Sequence, residues 1–236
     1  MKLVLLPGMD GTGELFNPLL QHLQSDTTVL PLPERGEQSY TQIATAIAPR
    51  LPKQDYILLA ESFSSGLVRY IVEQDDKHLL GVVIVSGFVS APNRALLRLA
   101  KSLPLHLLAN MPGFDTVCRK YFLGEAATND AIVMLKDVLK SVPPEVLKAR
   151  MAAILDMPKE TAFKCAIPCV CIVPTEDKLV DSSKTKELAN TFSNVAISPI
   201  SGPHFILQSN PLLAAKSVQC AMNYIHITAQ QSRQLH

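Results

Sequence analysis

Short, unbroken apolar runs recur along this chain, and almost every pair is separated by a stretch with helical spacing. Residues 3–6, 27–32, 56–60, 79–85, 168–173 and 195–200 read as strands. A strand that is apolar at successive positions must be covered on both faces, which predicts a mainly parallel sheet flanked by helices, an α/β architecture. Between the strands, apolar residues at 15, 16, 19, 20 and 23 predict a helix over 14–23. Similar spacing predicts helices over 40–51, 65–73, 182–191 and 212–227. The polar end, 228–236, is expected to fray.

The alternation lapses between 91 and 164. No strand-like run occurs there, and amphipathic helices are broken at Pro104, Pro112, Gly124 and Pro143-Pro144. That is too long for an ordinary connection. It predicts a helical cap, 91–164, inserted into a core made of 1–90 and 165–236. The length of 236 residues suits one α/β domain, with no internal repeat or low-complexity tract.

Composition narrows the partners. Hydrophobic residues are 47% and charged residues 18% of the chain, which argues for a packed core and against disorder. The net charge of +1, the absence of Trp and an aromatic content of 6% supply neither a basic field nor a stacking surface, so no nucleic-acid partner is expected. The first residues lack the apolar region and cleavage site of a secretory signal. No apolar run approaches the ~18 residues of a membrane span. Five cysteines (Cys118, Cys165, Cys169, Cys171, Cys220), an odd number without a signal, fit free thiols in a reducing compartment and a cytoplasmic protein. Cys169 and Cys171 alternate with Val170 in a strand-like run without a His cluster. With Cys165 they are expected to be small buried hydrophobes rather than metal ligands. No metal and no organic cofactor is implied.

Chemistry enters at Tyr56-Ile57-Leu58-Leu59-Ala60-Glu61-Ser62-Phe63-Ser64-Ser65-Gly66. A serine ends a buried strand just before a helix, the setting of a nucleophile elbow. The turn is strained, so the residues two before and two after must be small; here they are Ala60 and Ser64. Ser62 is the expected nucleophile because it follows the strand directly, with Ser64 and Ser65 as rivals. After the first strand, Pro7-Gly8-Met9-Asp10-Gly11-Thr12-Gly13 makes a Gly-rich turn. A phosphate loop would continue with Lys-Ser/Thr, but Glu14-Leu15 follow, and an acid there repels phosphate. The alternative use is an oxyanion hole, from the backbone N–H groups of Met9 and Phe63.

Pro174-Thr175-Glu176-Asp177-Lys178-Leu179-Val180-Asp181 follows one late strand, and Ser201-Gly202-Pro203-His204-Phe205 the next. Strand ends converge on one edge of a parallel sheet. Ser62, Asp177 and His204 therefore form a candidate Ser–Asp–His set in chain order, with His204 as base and Asp177 holding its ring. Glu176 and Asp181 are rivals for the acid, and His22, His78, His106, His226 and His236 for the base.

Together, Leu-Pro-Gly-Met-Asp-Gly-Thr-Gly, Ala-Glu-Ser-Phe-Ser, Thr-Glu-Asp-Lys-Leu-Val and Gly-Pro-His-Phe resemble the α/β-hydrolase superfamily over nearly the whole chain. The resemblance implies the fold, with strands 3 to 8 of the family present, and a serine carboxylesterase activity. Two departures stand out: Pro7-Gly8 where many members have His-Gly, and Ser64 where many have Gly.

Substrate does not follow from the site. The 91–164 segment holds eleven Lys and Arg against seven Asp and Glu; the rest of the chain holds eleven against fourteen. A basic cap suits an acidic partner. In size and layout the chain is similar to the small capped methyl esterases of biotin synthesis, which release methanol from pimeloyl-acyl-carrier-protein methyl ester and whose carrier protein is acidic. That resemblance makes Arg94, Arg98, Lys101, Arg119 and Lys120 the candidate surface for acyl carrier protein. Leu96, Leu97, Leu105, Leu107, Leu108 and Met111 give the cap an apolar face suited to a short or medium acyl chain. An acyltransferase using the same three side chains, or a binding module on the same fold, are the other readings.

Overall fold

The computed structural model describes residues 1–74, 77–159 and 163–234. In chain order, β1 (Lys2–Leu6) leads through a 3-10 turn, Glu14–Phe16, into α1 (Asn17–Leu20), β2 (Asp26–Val29) and α2 (Tyr40–Ile47). Then come β3 (Tyr56–Glu61), a 3-10 helix at Ser62–Leu67, α3 (Val68–Val72) and β4 (Leu79–Val85). Next lie α4 (Arg94–Ser102), α5 (Leu105–Leu108), α6 (Phe114–Val117), a π-helical turn at Cys118–Leu123, α7 (Asn129–Ser141) and α8 (Pro144–Asp156). The chain closes with β5 (Cys169–Pro174), α9 (Ser183–Thr191), β6 (Val195–Ile200), α10 (Ile206–Ser209) and α11 (Pro211–Gln234).

Among the described residues the strands form one parallel sheet in the order β2-β1-β3-β4-β5-β6. The chain leaves β1 toward β2, then returns to the other side of β1 for β3. This reversal opens a crevice beyond the carboxyl ends of β1 and β3, where α/β sheets place ligands. Register pairs Leu6 with Ala60 and Ala60 with Ile84, so the turns after β1, β3 and β4 leave the sheet at one height.

The apolar runs supply two cores by strict alternation. Val4, Leu6, Tyr56, Leu58, Ala60, Val82, Ile84, Cys169 and Cys171 face one helical layer that includes α2 and the Ala153–Ile154 end of α8. Leu3, Leu5, Ile57, Leu59, Val83, Val85, Val170 and Ile172 face the other, built on Phe16, Leu19 and α11. Cys165, Cys169 and Cys171 are small members of the first core, as expected.

Several boundaries differ from the sequence expectation. β2 ends at Val29 rather than 32: the Leu30 amide still donates to the Leu5 carbonyl of β1 at 3.0 Å, but the Leu32 amide leaves the ladder for the Gly11 carbonyl at 2.8 Å. The helix expected over 14–23 is a 3-10 turn followed by α1, since Pro18 belongs at a helix start. The segment expected to fray beyond 227 is helical to Gln234: Ala229 is buried, and Arg233 donates to Asp55 at 2.7 Å.

In the helical segment between β4 and β5, Asn93 and Thr128 start α4 and α7 by accepting from the amides of Leu96 (2.9 Å) and Ala131 (3.2 Å). α8 holds this segment on the sheet, with Val146, Leu147 and Met151 packed near Met9 and Leu97. Among the described residues, no helix is long and apolar enough to cross a membrane.

Candidate active site

The end of β3 turns sharply. Ser62 has φ +46, left-handed backbone that a non-glycine residue adopts at a cost on the order of 1–3 kcal/mol. The surrounding packing holds it there. Behind the turn a Cβ on Gly66 would lie 2.5 Å from the Tyr40 ring, so the 3-10 helix sits directly against α2. Tyr40 stacks on Phe63 with ring centroids 4.8 Å apart.

Three strand ends bring Ser62, His204 and Asp177 together. Ser62 Oγ lies 2.9 Å from His204 Nε2, and His204 Nδ1 lies 2.7 Å from Asp177 Oδ2. The Asp177 carboxylate only accepts, so Nδ1 carries the proton and Nε2 is left to accept from the serine hydroxyl. Asp177 is itself fixed, since its Oδ1 accepts from the amides of Leu179 (2.8 Å) and Val180 (2.9 Å). Both ring and carboxylate are 5% exposed, which keeps water from competing for these bonds. The arrangement can take a proton from Ser62 and return it to a leaving group.

The described rival side chains are engaged elsewhere or exposed. Ser64 Oγ donates to the Pro7 carbonyl at 2.5 Å. Ser65 Oγ lies 2.6 Å from the Ser62 carbonyl and accepts the Phe88 N–H at 2.9 Å. Glu176 is exposed and meets Ser201, and Asp181 accepts from the Ser183 amide at the start of α9. His22 is exposed, His78 pairs with Asp55, and His226 meets Gln230. The side chains of Leu105 and His106, and all of His236, lie outside the described residues.

The turn after β1 stands beside Ser62. Neither the Met9 nor the Phe63 N–H finds an acceptor among the described residues, and Phe63 falls in the first turn of a helix, where amides are unsatisfied. The two donors expected from the sequence are thus free. A cavity of about 170 Å³ lies behind the elbow, lined by Tyr40, Gly66, Val89, Met157, Phe163 and Phe192 among others. Neither Ser62 nor His204 lines it, so it is separate from the Ser62–His204–Asp177 cluster.

Four residues that the sequence reading missed support these groups. Ser86, with φ +52 at the end of β4, donates from Oγ to the His204 carbonyl at 2.6 Å. Gln208 donates to Glu61 Oε1 at 3.0 Å. Glu61 is 2% exposed, and burial pushes its carboxyl up to about 7; the Asp10 carboxylate adds to this, while Gln208 and His204 pull it down. The alternation of β3 already pointed Glu61 inward with Ile57 and Leu59. The fourth is Arg150, fully buried on α8, whose Nη1 meets the Met9 and Asp10 carbonyls at 2.9 and 2.7 Å. Its signal was a charge on the helix face shared with Val146, Leu147 and Met151.

Of the five basic residues picked out on the helical segment, two are occupied within it. Arg94 donates to the Leu155 and Met157 carbonyls, both at 2.6 Å, at the end of α8. Arg119 donates to the Ala127 carbonyl and to Asn129 Oδ1. Arg98, Lys101 and Lys120 are exposed. Of the apolar face, Leu97 and Leu108 pack inward, whereas Leu96, Leu107 and Met111 are exposed, together with Leu99 and Leu103.

No family model matches this chain, and no curated protein matches its sequence. Solved structures match its fold. A thermophilic esterase from Thermogutta terrifontis superposes with a TM-score of 0.76 at 14% identity, over 96% of this chain and 90% of that one. A bromoperoxidase from Bacillus anthracis gives 0.75 at 14% identity, over 94% and 91%. The enol-lactonase from Burkholderia xenovorans LB400 gives 0.72 at 14% identity, also over 94% and 91%. The likeness at this identity is one of fold, and the chain has the α/β-hydrolase fold.

Proposed function

We propose that this protein is a serine carboxylic ester hydrolase. The observation that carries the reading is the relay from Ser62 Oγ through His204 to Asp177, at 2.9 and 2.7 Å, beginning at a serine held at φ +46. Ser62 attacks the ester carbonyl as His204 takes its proton. The N–H groups of Met9 and Phe63 bind the oxyanion of the tetrahedral intermediate. His204 then protonates the departing alcohol, leaving an acyl-enzyme on Ser62. Water, deprotonated by the same ring, releases the acid.

The substrate class is a short to medium acyl ester, with the 91–164 segment as a cap over the acyl chain. A carrier-linked form, such as pimeloyl-acyl-carrier-protein methyl ester, is favoured by one further observation: on α4 and at its end, exposed Arg98 and Lys101 stand among exposed Leu96, Leu99 and Leu103. Such a surface suits an acidic carrier protein.

The test is hydrolysis of p-nitrophenyl esters from acetyl to decanoyl by wild type and Ser62→Ala. Activity lost in the variant supports the reading, and activity retained overturns Ser62 as nucleophile. Acyl transfer to an added alcohol in excess of hydrolysis would instead identify an acyltransferase. Failure of the wild type both to hydrolyse any ester and to take up a fluorophosphonate at Ser62 would leave a binding module. For the carrier reading, Arg98→Glu with Lys101→Glu should weaken turnover of a carrier-linked ester and spare a small soluble one; equal losses on both sink it.

A further inference from the structure

Arg150 joins the helical segment to the turn that carries Met9. Besides the Met9 and Asp10 carbonyls on Nη1, its Nη2 donates to the Pro33 carbonyl at 3.0 Å and its Nε to Gln38 Oε1 at 3.0 Å. One side chain on α8 thus ties down the turn after β1 and the stretch after β2. The turn is shaped around it: Gly11 has φ +73, and a Cβ there would collide with Arg150 Nη1.

Arg150 forms no ion pair among the described residues. Burial draws its pKa down to about 10, against the pull of the Asp10 and Glu34 carboxylates, so it stays a cation at neutral pH. A desolvated cation with no carboxylate in direct ion-pair contact is costly, and an apolar side chain would fasten α8 to the sheet without that cost. What a guanidinium adds is direction, because its donors form a rigid planar fork. Holding two successive carbonyls on one nitrogen leaves the Met9–Asp10 backbone little torsional freedom. The free Met9 N–H is on the residue where that constraint begins.

We infer that Arg150 is the positioning residue of the oxyanion hole, aiming the Met9 N–H by clamping the carbonyls that follow it, and that it makes the hole conditional on α8 being seated against the sheet. The inference rests on the ester-hydrolase reading. Met9, in the turn after β1, touches the reacting oxygen, and Arg150, on α8, acts only through Met9.

The test compares wild type with Arg150→Met, which keeps length but no donor, and Arg150→Lys, which keeps charge but no fork. Arg150→Met should lose about 100-fold in kcat, the scale of a misplaced oxyanion donor, with KM within about threefold. Arg150→Lys should recover part of the loss. Hydrogen exchange should quicken at residues 8–13 and stay unchanged at 56–61. Unaltered kcat, or exchange that quickens uniformly along the chain, overturns the inference. If Arg150→Met does not fold, Gln38→Ala, which removes the Nε acceptor together with the Gln38 Nε2 bond to the Gly36 carbonyl, should show the same local pattern at residues 8–13 to a smaller degree, and its absence counts against the role. If wild type hydrolyses no ester, the ester-hydrolase reading falls on its own, and the exchange pattern still decides whether Arg150 holds the turn.

Discussion

Ser64 Oγ donates to the Pro7 carbonyl at 2.5 Å, linking the turn that holds Phe63 to the turn that holds Met9. The two candidate oxyanion donors come from different strands, so something must fix their separation. A glycine at position 64 satisfies the space demanded by the elbow but offers no such bond. Ser64→Ala should therefore destabilise the protein by about 1–3 kcal/mol, the cost of a buried carbonyl left unpaired. It should also lower kcat more than it raises KM. Denaturant melts and steady-state kinetics check both; a loss of stability with unchanged kcat would mean the bond only braces the fold.

Asp177 offers a sharper test of the relay. In Asp177→Asn the side-chain oxygen can still accept from Leu179 and Val180, which turns the amide nitrogen toward His204. The ring would then have to present its unprotonated nitrogen to the amide and its N–H to Ser62. Activity should fall by about 10³- to 10⁴-fold through kcat, by analogy with the same change in serine proteases, with folding intact by circular dichroism. A loss below about tenfold would show that Asp177 is not the orienting acid.

The backbone at Ser62 predicts a stability effect separate from chemistry. Glycine takes a positive φ at no steric cost, and alanine does not. Ser62→Gly and Ser62→Ala should both be inactive, yet the glycine variant should be the more stable by about 1 kcal/mol, the strain relieved less the extra chain entropy. Melting curves of the pair read this directly, and an order reversed in favour of alanine would mean that the turn is not strained.

Glu61 sets a pH dependence. Its carboxyl titrates near 7 in the folded chain instead of 4.5, chiefly because it is buried. Between those values the folded state keeps a proton that the unfolded state has released. Stability should therefore fall as pH rises through this window, by roughly 3 kcal/mol, and level off above about 7. Glu61→Gln keeps an oxygen for Gln208 and cannot ionise. It should match wild type near pH 5 and melt at a higher temperature near pH 8; parallel stability–pH curves would refute the assignment.

The fold was legible because the strands announce themselves locally. Runs such as 79–85 are apolar at nearly every position, and a run of that kind admits only a sheet covered on both faces. The Ser–Asp–His order was legible because parallel strands deliver their ends to one edge whatever lies between them. Where local propensity competed with distant partners, the sequence reading erred. Residues 228–234 look like a frayed tail until Arg233 meets Asp55 across the sheet end.

By itself, then, the sequence determined the alternating architecture, the strand-free helical stretch between β4 and β5 and the residue types gathered at the sheet edge, since each of these follows from patterns a few residues long. Only the tertiary structure decided that Ser64 would brace the elbow rather than rival Ser62, that Arg94 and Arg119 would be occupied by carbonyls, and that Glu61 and Arg150 would be buried beside the candidate oxyanion turn. The physical reason is that a charge or a hydroxyl takes its meaning from what it touches. Those partners lie 57 residues away for Ser64 and 141 for Arg150.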